Sequence, residues 1–153
     1  MRVALPHLAC CLILFGLVMP AEAALNCRVQ TPTLAFGNYS PGSPQDLDTS
    51  ADVDVTCQGG RGLVFITLSA GSSGNMENRF MLSGGNTLSY NAYLNAARTV
   101  IWGDGSGSTS YILRIMWRPN RQVFEIPVYG RVFAGQNPAS GAYSDSLVVT
   151  AYF

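Results

Sequence analysis

The chain has 153 residues, and its nine cationic side chains, every one an Arg, balance nine Asp and Glu. Lys is absent, and no basic stripe exists to draw nucleic acid or an anionic membrane surface by electrostatics. This length makes one domain large enough for a proper core.

Arg2 is followed by an apolar run from Leu8 to Met19 and then by Pro20, Ala21, Glu22 and Ala23. A positive start, a hydrophobic stretch and a small-x-small site predict a secretory signal peptide over 1–23, cleaved after Ala23. A transmembrane anchor is the rival reading, but the run is shorter than the ~20 residues a spanning helix needs and stops at a proline. A lipoprotein reading fails at Asn26, which is not the small residue required before Cys27. No membrane association is expected after cleavage.

Processing removes His7, Cys10 and Cys11, so the mature chain, 24–153, keeps only Cys27 and Cys57 and has no histidine. Arg2 and Glu22 leave together, and nine charges of each sign become eight. Two cysteines in an oxidising compartment predict a disulfide, Cys27 to Cys57, which stabilises the fold by about 3–4 kcal/mol through loop closure.

Beyond Cys27, apolar residues recur with period two in short runs separated by Gly, Ser, Asn and Pro. That is the pattern of an antiparallel all-β domain. Val53, Val55 and Cys57 alternate with Asp52, Asp54 and Thr56, predicting a half-buried strand over 51–57. Leu63 to Leu68 is almost continuously apolar and predicts a strand in the middle of a sheet. Turns at 71–75 and 83–86 lead to a strand over 88–94, and 103–110 is a Gly/Ser loop. Strands are expected over 111–117 and 122–134. Pro127 lies inside the second, where it cannot donate to a ladder, so the strand must bulge there or lie at an open edge. The last strand is expected over 146–153, with Leu147, Val149, Ala151 and Phe153 alternating against Val148, Thr150 and Tyr152. About seven strands at this spacing predict a two-sheet sandwich.

Chemistry-bearing motifs are few. The loop from Trp102 to Gly107 has one carboxylate, Asp104, where a calcium loop needs several, and lacks the Lys of a phosphate loop. It reads as a structural loop with Trp102 as a core aromatic at its base. Asp52 and Asp54 read as the solvated side of their strand, and the sequon Asn38, Tyr39, Ser40 carries little meaning in a bacterial protein. Without a histidine, a free thiol or a carboxylate pair, no enzyme, cofactor or metal site is expected. The segment 111–121 mixes Ile112, Leu113, Ile115, Met116 and Trp117 with Arg114, Arg118 and Arg121. It is either an ordinary strand and turn or an exposed apolar contact surface.

Taken together, these pieces resemble the spore coat protein U domain family, which includes subunits of archaic chaperone-usher pili. The resemblance runs from Cys27 to Phe153. It is carried by Phe36 to Tyr39; Val53 to Cys57; Arg79, Phe80 and Met81; Leu88 to Tyr93; Trp102 to Gly105; Val128 to Arg131; and Gly141 to Tyr152 with Tyr143, Ser144 and Asp145. It implies an immunoglobulin-like antiparallel β-sandwich lacking its last strand, with an open apolar groove beside the C-terminal strand. Leu147, Val149, Ala151 and Phe153 would then line the groove, and the backbone of 148–152 would pair with an incoming strand. The implied function is a structural or adhesive subunit of a surface pilus or coat. Its implied partners are a periplasmic chaperone, an outer-membrane usher and neighbouring pilin subunits, with passage through the periplasm to the cell surface.

Two departures from the family pattern carry expectations of their own. Only Ala24, Leu25 and Asn26 precede Cys27, too short a donor segment to fill a groove, so a tip position or a non-polymerising secreted coat protein is expected. The segment 111–121 is more apolar than the family pattern, which makes Ile115, Met116 and Trp117 the candidate adhesive surface. A self-sufficient carbohydrate-binding sandwich is the alternative, with Tyr39, Tyr90, Tyr93 or Trp117 as stacking platforms.

Overall fold

The computed structural model describes residues 23–153. The signal peptide expected over 1–23 therefore lies, apart from Ala23, outside the described residues. Ten strands carry the chain: β1 (Asn26–Gln30), β2 (Leu47–Gln58), β3 (Gly62–Leu68), β4 (Arg79–Ser83), β5 (Asn86–Tyr93), β6 (Ile101–Trp102), β7 (Thr109–Ser110), β8 (Ile112–Met116), β9 (Gln122–Val132) and β10 (Val149–Tyr152). They form a seven-stranded sheet in the order β1-β2-β9-β5-β6-β7, with β4 hydrogen-bonded to β5, and a three-stranded sheet in the order β10-β3-β8.

Alternation decides which faces meet. Val53, Val55 and Cys57 of β2 and Ile126 and Val128 of β9 are buried from the large sheet. Val64, Ile66 and Leu68 of β3 and Ile112 and Met116 of β8 are buried from the small one. They share one core with Trp102, whose indole Nε1 donates to the Ile66 carbonyl at 3.3 Å. Each such aliphatic side chain contributes roughly 1.5–3 kcal/mol by leaving water. The expectation that 63–68 runs through the middle of a sheet holds, since β3 lies between β10 and β8. Its other face is uncovered, however, and Leu63 remains 48% exposed.

Pro127 sits opposite Asp52 in an uninterrupted β2–β9 register, so no bulge forms. On the other flank of β9, β5 pairs only with residues 129–132, which leaves the edge open where the proline lacks its N–H. Cys27 and Cys57 are direct cross-strand partners of β1 and β2, 4.1 Å apart at Cα, and are joined by the expected disulfide.

The last strand is shorter than its alternation suggests. At Ser144 the chain bridges Leu82 of the large sheet, and only from Val149 does it run in the small sheet beside β3. Between these points the Ser69 N–H donates to Val148 O at 3.0 Å while the Ser69 hydroxyl accepts from Val148 N at 2.9 Å. A side chain thus replaces a strand partner where the chain crosses between sheets.

Candidate functional site: a groove at the open edge

β10 pairs with β3 on one side, and among the described residues no strand pairs with it on the other. Where the chain leads into β10, a groove of about 960 Å³ opens into the sandwich and ends at Val149. One wall is the extended segment 31–39 and the other the segment 138–149. Its floor is core: Leu68, Met81, Leu88, Tyr90, Trp102 and Val132 all reach it. A closed sandwich would cover such a floor with a strand.

The first wall is extended for local reasons. Pro32 restricts Thr31 to extended backbone, and Gly37 takes a positive φ of 77°, ending the run. Thr49 Oγ1 donates to the Ala35 carbonyl at 2.8 Å, holding the wall against β2. Gly130 of β9 lets it lie close, since a Cβ there would come within 2.7 Å of both Leu34 and Phe36. Phe36 then meets Tyr90 edge-on, with ring centroids 5.8 Å apart.

A polar network fixes the floor. Arg79 is only 1% exposed, and its guanidinium donates to the carbonyls of Ser69 (2.7 Å), Met76 (3.1 Å) and Trp102 (2.8 Å) and to Asn91 Oδ1 (2.7 Å). Burial pulls its pKa below the ordinary Arg value, opposed by Tyr90 and Asp145. The Tyr90 hydroxyl donates to Asp145 Oδ2 at 2.7 Å, and burial together with that bond keeps the phenol protonated. Burial would raise the Asp145 carboxyl, but the Ser72 N–H and hydroxyl, Tyr90 and the Ser146 N–H together hold it below its usual range. Asp145 thereby ties the second wall to the floor. Arg79, Tyr90 and Asp145 were legible in the sequence only as scattered pieces of a family pattern.

The structure sorts the expected site residues. Leu147 and Val149 line the groove, half-buried. Ala151 packs on the core outside the groove lining, and Phe153 is 57% exposed beyond the last ladder pair, Tyr152 with Phe65. Of the proposed adhesive residues, Ile115 and Trp117 face solvent, with Trp117 71% exposed. Met116 is a correction. It is 1% exposed in the core, because alternation along β8 turns it inward between two outward neighbours. Of the four stacking platforms offered for a carbohydrate-binding module, Tyr90 and Tyr93 are buried and the Tyr39 hydroxyl is tied to the backbone of Gln136, which leaves Trp117 as the freely exposed ring. Asp104 accepts from the Ser106 N–H and hydroxyl, bracing its own loop. Asp52 lies on the exposed face of β2. Among the described residues no group of three or more His, Cys, Asp or Glu side chains could hold a metal ion.

Fold and groove define a class: an immunoglobulin-like β-sandwich with an unpartnered edge strand beside an uncovered core. The chain belongs to the Spore Coat Protein U domain family, whose model matches residues 14–150. It is 33% identical over 134 residues to Protein U of Myxococcus xanthus, covering 79% of this chain and 72% of that one. Its fold is similar to a chain of the CsuC-CsuE chaperone-tip adhesion subunit pre-assembly complex from the archaic chaperone-usher Csu pili of Acinetobacter baumannii. That similarity has a TM-score of 0.60 at 18% identity and covers 85% of this chain. The chain spans 40% of the length of that structure's chain.

Proposed function

We propose that this protein is an exported, non-catalytic subunit of a surface pilus or coat, assembled by the chaperone-usher route through strand complementation. The observation that carries it is the groove: a free β10 backbone edge beside core side chains open to water. An extended segment with apolar residues at alternate positions satisfies both at once, its backbone pairing with β10 and its side chains seating over Leu147, Val149 and the floor. In the periplasm a chaperone supplies that segment. An usher at the outer membrane then exchanges it for one from a neighbouring subunit. The Csu complex, a chaperone with a tip subunit, has the composition this route requires.

The test is to purify the exported chain alone and with a co-expressed periplasmic chaperone. Alone, it is expected to aggregate or to exchange the amides of 146–153 rapidly; with the chaperone, to be soluble and protected there. A soluble, cooperatively folding monomer with slow exchange along 146–153 and no chaperone would overturn the proposal.

A further inference from the structure

The small sheet has two edges, and only one belongs to the groove. β8 forms the other, and among the described strands it pairs with β3 alone. A free edge is a template for another chain, and proteins blunt such edges with Lys, Pro or bulges. β8 has none of these: it reads Ile112-Leu113-Arg114-Ile115-Met116, and its ladder to β3 is unbroken from Gly62↔Met116 to Ile66↔Ile112. Its single charge, Arg114, turns back to donate to the neighbouring Leu113 carbonyl at 3.1 Å.

The outward face of this edge is apolar. Leu63, Leu113, Ile115, Tyr111 and Trp117 are all exposed, and Tyr111 lies against Phe65 with ring centroids 5.6 Å apart. The two aromatics at the ends of this face are the largest part of it, Tyr111 at 42% and Trp117 at 71% exposed. With three aliphatic neighbours the patch reaches the few hundred Å² at which exposed apolar surface commonly marks an interaction site.

We propose that β8 pairs antiparallel with β8 of a second copy of this chain, about a twofold axis at Ile115. The self-complementarity of the strand selects this occupant. Centred on Ile115, the pairing sets Leu113 opposite Trp117 of the second copy, Ile115 opposite itself and Arg114 opposite Met116, and outward residues stay on the outward face. Centring on Arg114 would place two guanidinium groups face to face, and centring on Leu113 would leave Trp117 without a partner. The two three-stranded sheets would become one continuous sheet, with the two β10 edges at its far ends. Strand complementation and β8 pairing can therefore occur in the same molecule.

Single cysteines in the full exported chain test this directly. Ile115→Cys places two thiols across the axis at a Cα separation of ~4.5–5.5 Å, within disulfide range. Leu63→Cys, on the same face and paired with Ile115 across the β3–β8 ladder, puts them three strand spacings apart, about 14 Å. Non-reducing gels of cells expressing each variant should show at least ~10-fold more covalent dimer for Ile115→Cys, because only that pair lies within bonding distance. Equal cross-linking by both variants, or none by Ile115→Cys, overturns the proposal. In sedimentation of the wild-type chain and Ile115→Lys, held soluble by the same chaperone, the wild type should carry a species with two subunits that the variant lacks. A wild type with one subunit throughout, or an Ile115→Lys that keeps two, also overturns it.

Discussion

At the scale of single residues, the groove depends on a buried cation to which no carboxylate among the described residues is bonded. Arg79 is held by backbone carbonyls and Asn91; if the side chain is cut back, the Ser69 and Trp102 carbonyls lose its donors, while Met76 O keeps Asn91 Nδ2 and Asn91 Oδ1 keeps the Ala92 N–H. Arg79→Ala removes the guanidinium donors from the Ser69 and Trp102 carbonyls and leaves a cavity where a 1%-exposed side chain stood. The expected loss is at least about 3 kcal/mol, measured as a lower midpoint in denaturant. Arg79→Lys should recover only part of this, because an ammonium cannot span the carbonyls on both sides. Asp145 gives the floor a pH dependence. A carboxyl held below its usual value stabilises the fold at pH above its unfolded pKa of about 3.9 and gives that up as pH falls through the folded value. Stability is therefore expected to be level from pH 7 to about 5 and to fall below about pH 4. Asp145→Asn should flatten that fall without abolishing it. Asp48, lowered chiefly by its hydrogen bond to Arg131, titrates with the same sign. Denaturant midpoints taken across this range for both chains check the prediction.

At the scale of elements, β1 is a five-residue edge strand fastened to β2 by one disulfide. Replacing both cysteines, Cys27→Ser with Cys57→Ser, removes a cross-link closing about 30 residues and should cost about 3–4 kcal/mol. Hydrogen exchange should show β1 opening before β2, whereas a uniform loss of protection would mean the disulfide acts on the whole sandwich. The elements also show where sequence patterning succeeds. β2 and β9 stand out because one face of each is buried and the other solvated, and β3 because its run is almost continuously apolar. β4 does not: Arg79 points inward, which reverses the expected polarity and hides the strand. β6 and β7 are two residues each, too short for any period. The groove was half legible. Leu147 and Val149 follow from alternation, but the opposite wall, 31–39, makes no ladder and shows no period, so only its packing against Gly130 reveals it. Alternation also overstates both ends of the last strand, since Ser69 interrupts one and Phe153 lies beyond the other.

At the scale of the whole molecule, a sandwich open at one edge lacks the apolar burial that a further strand would supply, and the proposed complementation turns on whether that strand seats its side chains on the groove side of β10. Val149 and Val148 are adjacent and identical in chemistry, yet Val149 looks into the groove while Val148 is exposed on the other face. Val149→Asp puts a carboxylate where the incoming segment must seat apolar side chains. An unpaired charge desolvated there costs several kcal/mol, so co-purification with a chaperone or neighbouring subunit should fall by more than ~100-fold. Val148→Asp keeps its charge in water, leaves the β10 backbone free to pair, and should bind within about 3-fold of wild type. Pull-downs of the two variants from cells expressing the partner decide it. If both lose binding alike, the β10 edge matters through its backbone alone and the groove floor has no part in recognition. If neither does, the partner sits elsewhere, and the open edge of this sandwich is not where it is completed.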